Sequence, residues 1–292
     1  MFTLLLFILG LSIGSFLNVL IDRIPNDEPP FKGRSYCDRC KKTLKWYDLI
    51  PLISYLYLKG KCRYCRDYIS FYYPLVELIT GVMFVILFLW LGNLPFTIYY
   101  LPSLNSQFSI FNFQFILNYF YYAFILSSFI VIFFTDLKYG IIPDKIIYPA
   151  IIISFFFLFF TPKESWLWLA LQSATLVQLA TLGVYANRFL SALGGFAFFL
   201  FLYLITRGKG MGFGDVKLAF LIGIVLGFPK IITALYLAFL TGAIVGSILI
   251  IWRKKKLKGG TIPFGPFLII GAVLSLFFGE KILRLVSLWL SF

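Results

Sequence analysis

Apolar residues in this chain come in long unbroken runs, neither the alternation of a half-exposed strand nor the stripe of a surface helix. Eight runs can be followed: residues 2–21, 72–91, 115–135, 146–160, 189–205, 216–228, 231–252 and 264–278. A hydrocarbon core takes about 20 apolar residues of helix, fewer where flanking side chains reach its edge. The pattern therefore predicts an all-α polytopic membrane protein with about eight transmembrane helices. The run 216–228 is short, about 20 Å as helix, and is followed by Pro229 and Lys230. Another stretch, 167–186, is diluted by Gln172, Ser173, Thr175, Gln178 and Thr181. Residues 165–187 are expected to form an external surface helix or a re-entrant one, because an extra crossing would put Arg207, Lys209 and Lys217 on the wrong side.

Composition agrees with that solvent: 61% of the 292 residues are apolar and 13% charged, too few charges for a soluble surface and too many apolar groups for disorder. The formal charge of +14 raises the question of a nucleic-acid partner, but its distribution answers otherwise. Eleven of the 26 cations lie between residues 22 and 68 and five between 253 and 258, which reads as two cytoplasmic segments. Residues 92–114 carry no charge and are expected outside. The first ionised groups, Asp22 and Arg23, follow the first run, the reverse of a cleavable signal, so that run is expected to remain as a helix with its N-terminus outside. The C-terminus is expected outside too. The polybasic segments also suit anionic lipid headgroups, at about 1 kcal/mol per residue near the surface.

All four cysteines fall in the first basic segment, as Cys37, Cys40, Cys62 and Cys65, a C-x2-C-x21-C-x2-C pattern. Each pair presents two thiolates on a tight turn, and four thiolates at about 2.3 Å satisfy tetrahedral zinc. The expectation is a small cytoplasmic zinc-ribbon-like loop domain with a structural metal, since four protein ligands leave no open position. A pair of structural disulfides is the bland alternative, which a reducing compartment disfavours.

Ionisable groups at a membrane boundary are costly unless paired, hydrated or useful. Asp136 ends the third run in TDLKYGIIPD, Asp215 begins the sixth in GKGMGFGDVKL, and Glu77 lies within the second, about 8 Å deep if helical. Asp136 and Asp215 are expected on one side of the membrane, each where an inner loop meets a helix. Two such carboxyl groups in contact share a proton, one activating water while the other donates, which is the arrangement of aspartic proteolysis. No Ser-His or Cys-His pair competes, because the chain has no histidine. Glycines 208, 210, 212 and 214 leave room for a substrate backbone beside Asp215, so Gly212, Gly214 and Lys217 are candidate substrate contacts. The bland readings are a hydrated Asp136 paired with Lys138, an N-capping Asp215 reinforced by Lys217, and, as the favoured reading there, an N-capping Asp144 after Pro143. Glu77 is read either as partner of a loop cation or as a substrate contact.

Beyond these elements, several stretches resemble one family: GSFLNVLIDRIP at 14–25, KWYDLIPLISYLYLKGKCRYC at 45–65, ISFYYPLVELITG at 69–81, DLKYGIIPD at 136–144, GMGFGDVKL at 210–218 and IPFGPFL at 262–268. The chain resembles the type IV prepilin leader peptidases, bifunctional membrane enzymes of bacteria with a GxGD-type aspartic protease centre. The resemblance implies cleavage of a short basic leader from prepilin or pseudopilin precursors at the cytoplasmic boundary, after Gly. It further implies methylation of the new N-terminal residue, usually Phe, with S-adenosylmethionine as donor. Position by position, it implies Asp136 and Asp215 as catalytic aspartates and Cys37, Cys40, Cys62 and Cys65 as metal ligands. Archaeal relatives that cut without methylating lack the cysteine loop, so its presence here implies both activities. Asp38, where the family often has proline, and a longer segment near 161–187 are the departures.

The resemblance divides the chain into a first transmembrane helix (1–21), a methyltransferase-associated four-cysteine loop (22–70), a second helix with an external loop (71–114) and a protease membrane core (115–292). It implies a multi-pass protein of the bacterial inner membrane with its active site facing the cytoplasm. No Rossmann-type glycine fingerprint is present, so the methyl-donor site has to be assembled from the first loop and its neighbouring helices, with Gly60, Glu77, Trp46 and Asp48 as candidates. Three other readings stay open: a leader peptidase without methylation, a proton-coupled transporter using the aspartates as a relay, and a zinc-stabilised assembly scaffold. A transporter asks for carboxylates near the midplane and inverted repeats.

Overall fold

A chain segment with no water around it must satisfy its backbone polar groups internally, which a helix does along its own length. The computed structural model follows that rule: among the described residues nine α-helices are formed and no strand. Those residues are 2–37, 39–92, 113–160, 174–208, 210–251 and 263–290. Outside them lie most of the expected external loop 92–114, the basic segment 253–258, Asp38, Lys209 and the start of the 165–187 stretch.

The helices are α1 (Phe2–Arg23), α2 (Ile53–Tyr57), α3 (Tyr72–Gly92), α4 (Phe113–Tyr139), α5 (Asp144–Phe160), α6 (Ala174–Thr206), α7 (Phe213–Leu226), α8 (Lys230–Ile251) and α9 (Gly265–Leu290), with a 3-10 turn at Trp46–Leu49. Two compact units emerge, Met1–Val131 and Ile132–Phe292.

In the first unit α1 packs along α3, and small residues set how closely. A Cβ on Gly10 would stand 2.7 Å from the Gly81 Cα, and one on Gly14 2.7 Å from the Glu77 Cα. Gly10 and Gly14 form a G-x-x-x-G step, the spacing that lets two membrane helices bring their backbones together. Polar contacts close the end of the pair where α1 stops and α3 starts: Asn18 Nδ2 donates to the Tyr73 carbonyl (3.0 Å) and the Tyr73 hydroxyl to Asp22 Oδ2 (2.8 Å). Arg23 is buried, and its guanidinium donates to the carbonyls of Lys32 (2.8 Å), Arg34 (3.1 Å) and Pro29 (3.3 Å). One cation thus gathers the chain that leaves α1.

In the second unit α7 packs against α5, α6, α8 and α9, and most of its length is buried. A helix enclosed on all sides is apolar all round, which explains the absence of polar residues after Lys217. Close approach again falls at small residues: any Cβ on Gly223 would overlap the Ala192 backbone, and one on Gly195 would reach the Ala219 carbonyl at 3.1 Å. Phe199, Phe239 and Phe264 stack where α6, α8 and the start of α9 converge.

Among the described residues six helical segments are long and apolar enough to cross a membrane: Phe2–Arg23, Tyr72–Gly92, Phe115–Tyr139, Tyr185–Thr206, Lys230–Leu249 and Gly265–Leu285. They coincide with six of the eight predicted runs. The other two runs are helices as expected, but α5 with 17 residues and α7 with 14 reach only about 26 and 21 Å. The 165–187 stretch also differs from expectation. From Ala174 onward it belongs to one unbroken helix of 33 residues, about 50 Å long, with no turn at which a re-entrant segment doubles back.

Replacing Gly14 with Leu is expected to cost about 1–3 kcal/mol by forcing α1 from α3, seen as a lower Tm in detergent. Gly246→Leu, where nothing lies within 4 Å of the added atom, is expected to leave Tm unchanged. Equal Tm values for Gly14→Leu and wild type would sink this account of the helix pair.

Candidate active site

Asp136 occupies the last turn of α4. The helix stops at Gly140, whose φ of +67° suits glycine and whose N–H bonds the Asp136 carbonyl at 2.9 Å. Pro143 follows and α5 starts at Asp144. On the other side of the site Gly212 is the N-cap of α7, and Asp215 is the third residue of that helix. Its carboxylate takes the reciprocal half of a capping box, facing the Gly212 N–H. The expected N-cap role for Asp215 thus passes to Gly212, because a residue in the first turn reaches back to the free N–H groups.

Both carboxylates are buried, Asp136 at 5% and Asp215 at 6% exposure, and they interact electrostatically. Gly265, at the start of α9, presents its N–H toward Asp136. A Cβ there would stand 2.5 Å from Asp136 Oδ2 and 3.3 Å from Ile142 Cδ1, while one on Gly214 would stand 2.9 Å from Ile142 Cβ. Ile142, Gly214 and Gly265 are thus packed around Asp136, with Asp215 one residue beyond Gly214. Among the described residues Asp136 Oδ2 is buried without a hydrogen-bond partner, which costs about 1–3 kcal/mol. Gly265 was not singled out from sequence; its place at a helix start after a proline was the available signal.

Asp144 does not cap α5. Its Oδ1 receives the Lys217 ammonium at 2.6 Å, and the free N–H groups of Ile146 and Ile147 go to the Pro143 carbonyl. A cation from a neighbouring helix outcompetes the local backbone for the carboxylate.

The second cluster is in the first unit. Cys37 and Cys62 each open a knuckle of the same build. The Cys N–H bonds a carbonyl five residues on (Lys42, 3.0 Å; Asp67, 2.8 Å), and its carbonyl receives the N–H four residues on (Lys41, 2.8 Å; Arg66, 2.9 Å). Lys41 and Arg66 both take positive φ, 55° and 57°, and isolated bridges Tyr36–Thr43 and Lys61–Tyr68 close the two turns. The knuckles bring all four Sγ atoms within 4.8 Å of one another. Cys37 and Cys65 are 3.8 Å apart, too far for a disulfide and close to the edge of a tetrahedron with bonds of about 2.3 Å. Burial pushes the Cys62 thiol up, but the N–H groups of Cys65 and Tyr64 outweigh it and bring it down to about 7. The Asp67 N–H favours a Cys65 thiolate, yet desolvation and three neighbouring sulfurs push this thiol up to about 11. Four thiolates in one place ask for a cation, and the cluster suits a metal ion.

The remaining candidates have separate engagements. The Asp48 side chain is almost wholly covered and accepts from Arg63 Nε (2.7 Å) and the Lys45 N–H (3.2 Å). Gly60 ends α2 with a φ of +69°, and a side chain there would meet the Tyr55 hydroxyl. Glu77 pairs with no cation among the described residues; Oε2 accepts the Leu52 N–H at 2.9 Å, and the carboxylate also faces the Ser15 hydroxyl. Leu52 has φ 57° and ψ −46°, a strained conformation costing about 1–3 kcal/mol, which this bond helps hold. Trp46 is 75% exposed.

Against known proteins, residues 8–91 match the Bacterial Peptidase A24 N-terminal domain and residues 123–247 the Type IV leader peptidase family. A prepilin leader peptidase/N-methyltransferase of Bacillus subtilis (strain 168) is 31% identical over 96% of this chain and 95% of its own length. The protein of that name from Aeromonas hydrophila is 30% identical over 96% and 92%, and the one from Burkholderia pseudomallei (strain 1026b) 28% over 96% and 86%. No solved structure matches. With similarity running end to end and both family domains in order, the chain belongs to the prepilin leader peptidase/N-methyltransferase family.

Proposed function

We propose that the chain cleaves the short basic leader from type IV prepilin-like precursors, after Gly, and then N-methylates the exposed residue, usually Phe. The observation that carries the reading is the pair of buried, electrostatically coupled carboxylates, Asp136 and Asp215, inside the segment matched by the leader peptidase family. In the proposed reaction one aspartate takes a proton from water as it attacks the Gly carbonyl. The other, protonated, hydrogen-bonds the developing oxyanion and then gives its proton to the leaving amine. Asp136 Oδ2, buried and unpartnered, suits the atom that bonds this water. Gly212 adds no side chain beside Asp215 and lets an extended substrate backbone approach, whereas the space over Gly214 is taken by Ile142.

Cys37, Cys40, Cys62 and Cys65 would hold a structural zinc, which fixes the loop and leaves no coordination position for catalysis. S-adenosylmethionine would supply the methyl group. Of the candidate residues near it, Trp46 offers an exposed ring face for stacking, while Asp48, Glu77 and Gly60, engaged with Arg63, Leu52 and the α2 turn, shape the loop around such a site. The domain assignment follows: residues 22–70 serve methylation and 115–292 cleavage. The cations of the first loop favour an inner-membrane protein with the active site facing the cytoplasm and anionic lipid beside it. A transporter is disfavoured because the aspartates sit at helix ends, in the last turn of α4 and the first of α7, and a bare scaffold does not explain a buried carboxylate oxygen left without a partner among the described residues.

Asp136→Asn and Asp215→Asn are each expected to lower leader cleavage by at least about 100-fold, followed as a size shift of a leader-bearing pilin in isolated membranes. Wild-type rates in either variant would end the aspartic mechanism. Transfer of label from S-adenosylmethionine to a pre-cleaved pilin is expected to survive both substitutions, and its absence in wild type leaves a peptidase without methylation. Elemental analysis should find one zinc per chain, lost in a Cys37→Ser/Cys40→Ser variant; purified protein free of zinc would refute that assignment.

A further inference from the structure

Lys217 and Asp144 stand in the two segments that carry the aspartates, and neither has a part in the chemistry above. Lys217 lies two residues beyond Asp215 on α7, and Asp144 opens α5 directly after the turn that follows Asp136. Their charged atoms are 2.6 Å apart, with the lysine side chain 17% exposed and the aspartate 55%. The ammonium also lies over the Tyr148 ring at 4.9 Å and the Phe213 ring at 5.4 Å. A lysine so enclosed is held in one place by its carboxylate and two aromatic faces. Left alone, it would be a poorly solvated charge in a crowded junction.

Between the two ends of this contact is the turn 140–143. It is tied at one side by the Gly140 N–H to the Asp136 carbonyl, at 2.9 Å, and at the other by Asp144 to Lys217. Ile142 lies between these ties, against Gly214 next to Asp215 and against Gly265, which itself abuts Asp136 Oδ2. Any shift of the start of α5 therefore moves Ile142 against both glycines that frame the carboxylates. We infer that the Lys217–Asp144 ion pair is a latch that sets Asp136 and Asp215 in register through Ile142, so that Lys217 is a positioning residue and not a substrate contact. This rests on the cleavage reading above.

A double-substitution cycle on the full-length enzyme in membranes, with a leader-bearing prepilin as substrate, tests it. Lys217→Met keeps the apolar stem and Asp144→Asn the shape, and each is expected to reduce kcat by about 10- to 100-fold, the loss that follows from a misplacement near 1 Å, with little change in KM. The combined variant is expected to lose no more than the worse single one, because both remove one interaction. Lys217→Arg and Asp144→Glu, which keep the charges, are expected to recover most of the rate. Independent, multiplying losses, an effect of Lys217→Met confined to KM, or silent single variants would each overturn the latch. If Lys217→Met fails to accumulate, Asp144→Asn against Asp144→Glu decides: equal activity of the two refutes the proposal. Absence of cleavage by wild type would instead count against the cleavage reading.

Discussion

Everything in this molecule follows from the lack of water along its helices. Each backbone N–H and C=O must find a partner within its own helix, so open polar groups occur only where helices begin and end. That is where the unusual side chains are found. Asp136 is in the last turn of α4, Asp215 in the first turn of α7, and Gly265 at the first residue of α9. The membrane interior provides walls, and the helix ends carry the buried carboxylates.

The same constraint shapes the helix contacts. Without a hydrophobic force to press apolar helices together in lipid, association relies on close packing, and glycine marks each close approach: Gly10 and Gly14 for α1 on α3, Gly195 and Gly223 for α6 on α7, Gly271 for α9 on α8. Packing that tight also fixes Asp215, because α7 is enclosed by its neighbours over most of its length. A short enclosed helix is a firm mount for a carboxylate, since it has few directions in which to move.

Much of this was readable from residue order. Long apolar runs locate helices because hydropathy is a property of the segment itself, and the cysteine spacing and the two boundary aspartates stood out against a background poor in charge. What escaped was relational. The burial of α7 explains why it is apolar on every side after Lys217, but enclosure depends on helices distant in sequence. The unbroken course of α6 was hidden by its glutamine and threonines, which dilute hydropathy without breaking a helix. Asp144 was read through its nearest backbone, whereas its partner Lys217 comes from 73 residues away. Gly265 and Glu77 owe their places to contacts that no local pattern announces.

The paired knuckles of the first loop have a consequence of their own. Among the described residues between α1 and α3 there is one α-helix, of five residues, and one 3-10 turn, and many of the large apolar side chains of that stretch, Phe31, Trp46, Ile53, Leu56 and Tyr57 among them, face outward. Such a segment has no oily centre from which to derive its order. Its two turns are near copies, each bringing half of a thiolate tetrahedron and neither able to complete it. A metal ion held by the four sulfurs would stand where a core would, and the shape of the loop would then follow metal supply, present or lost as a whole.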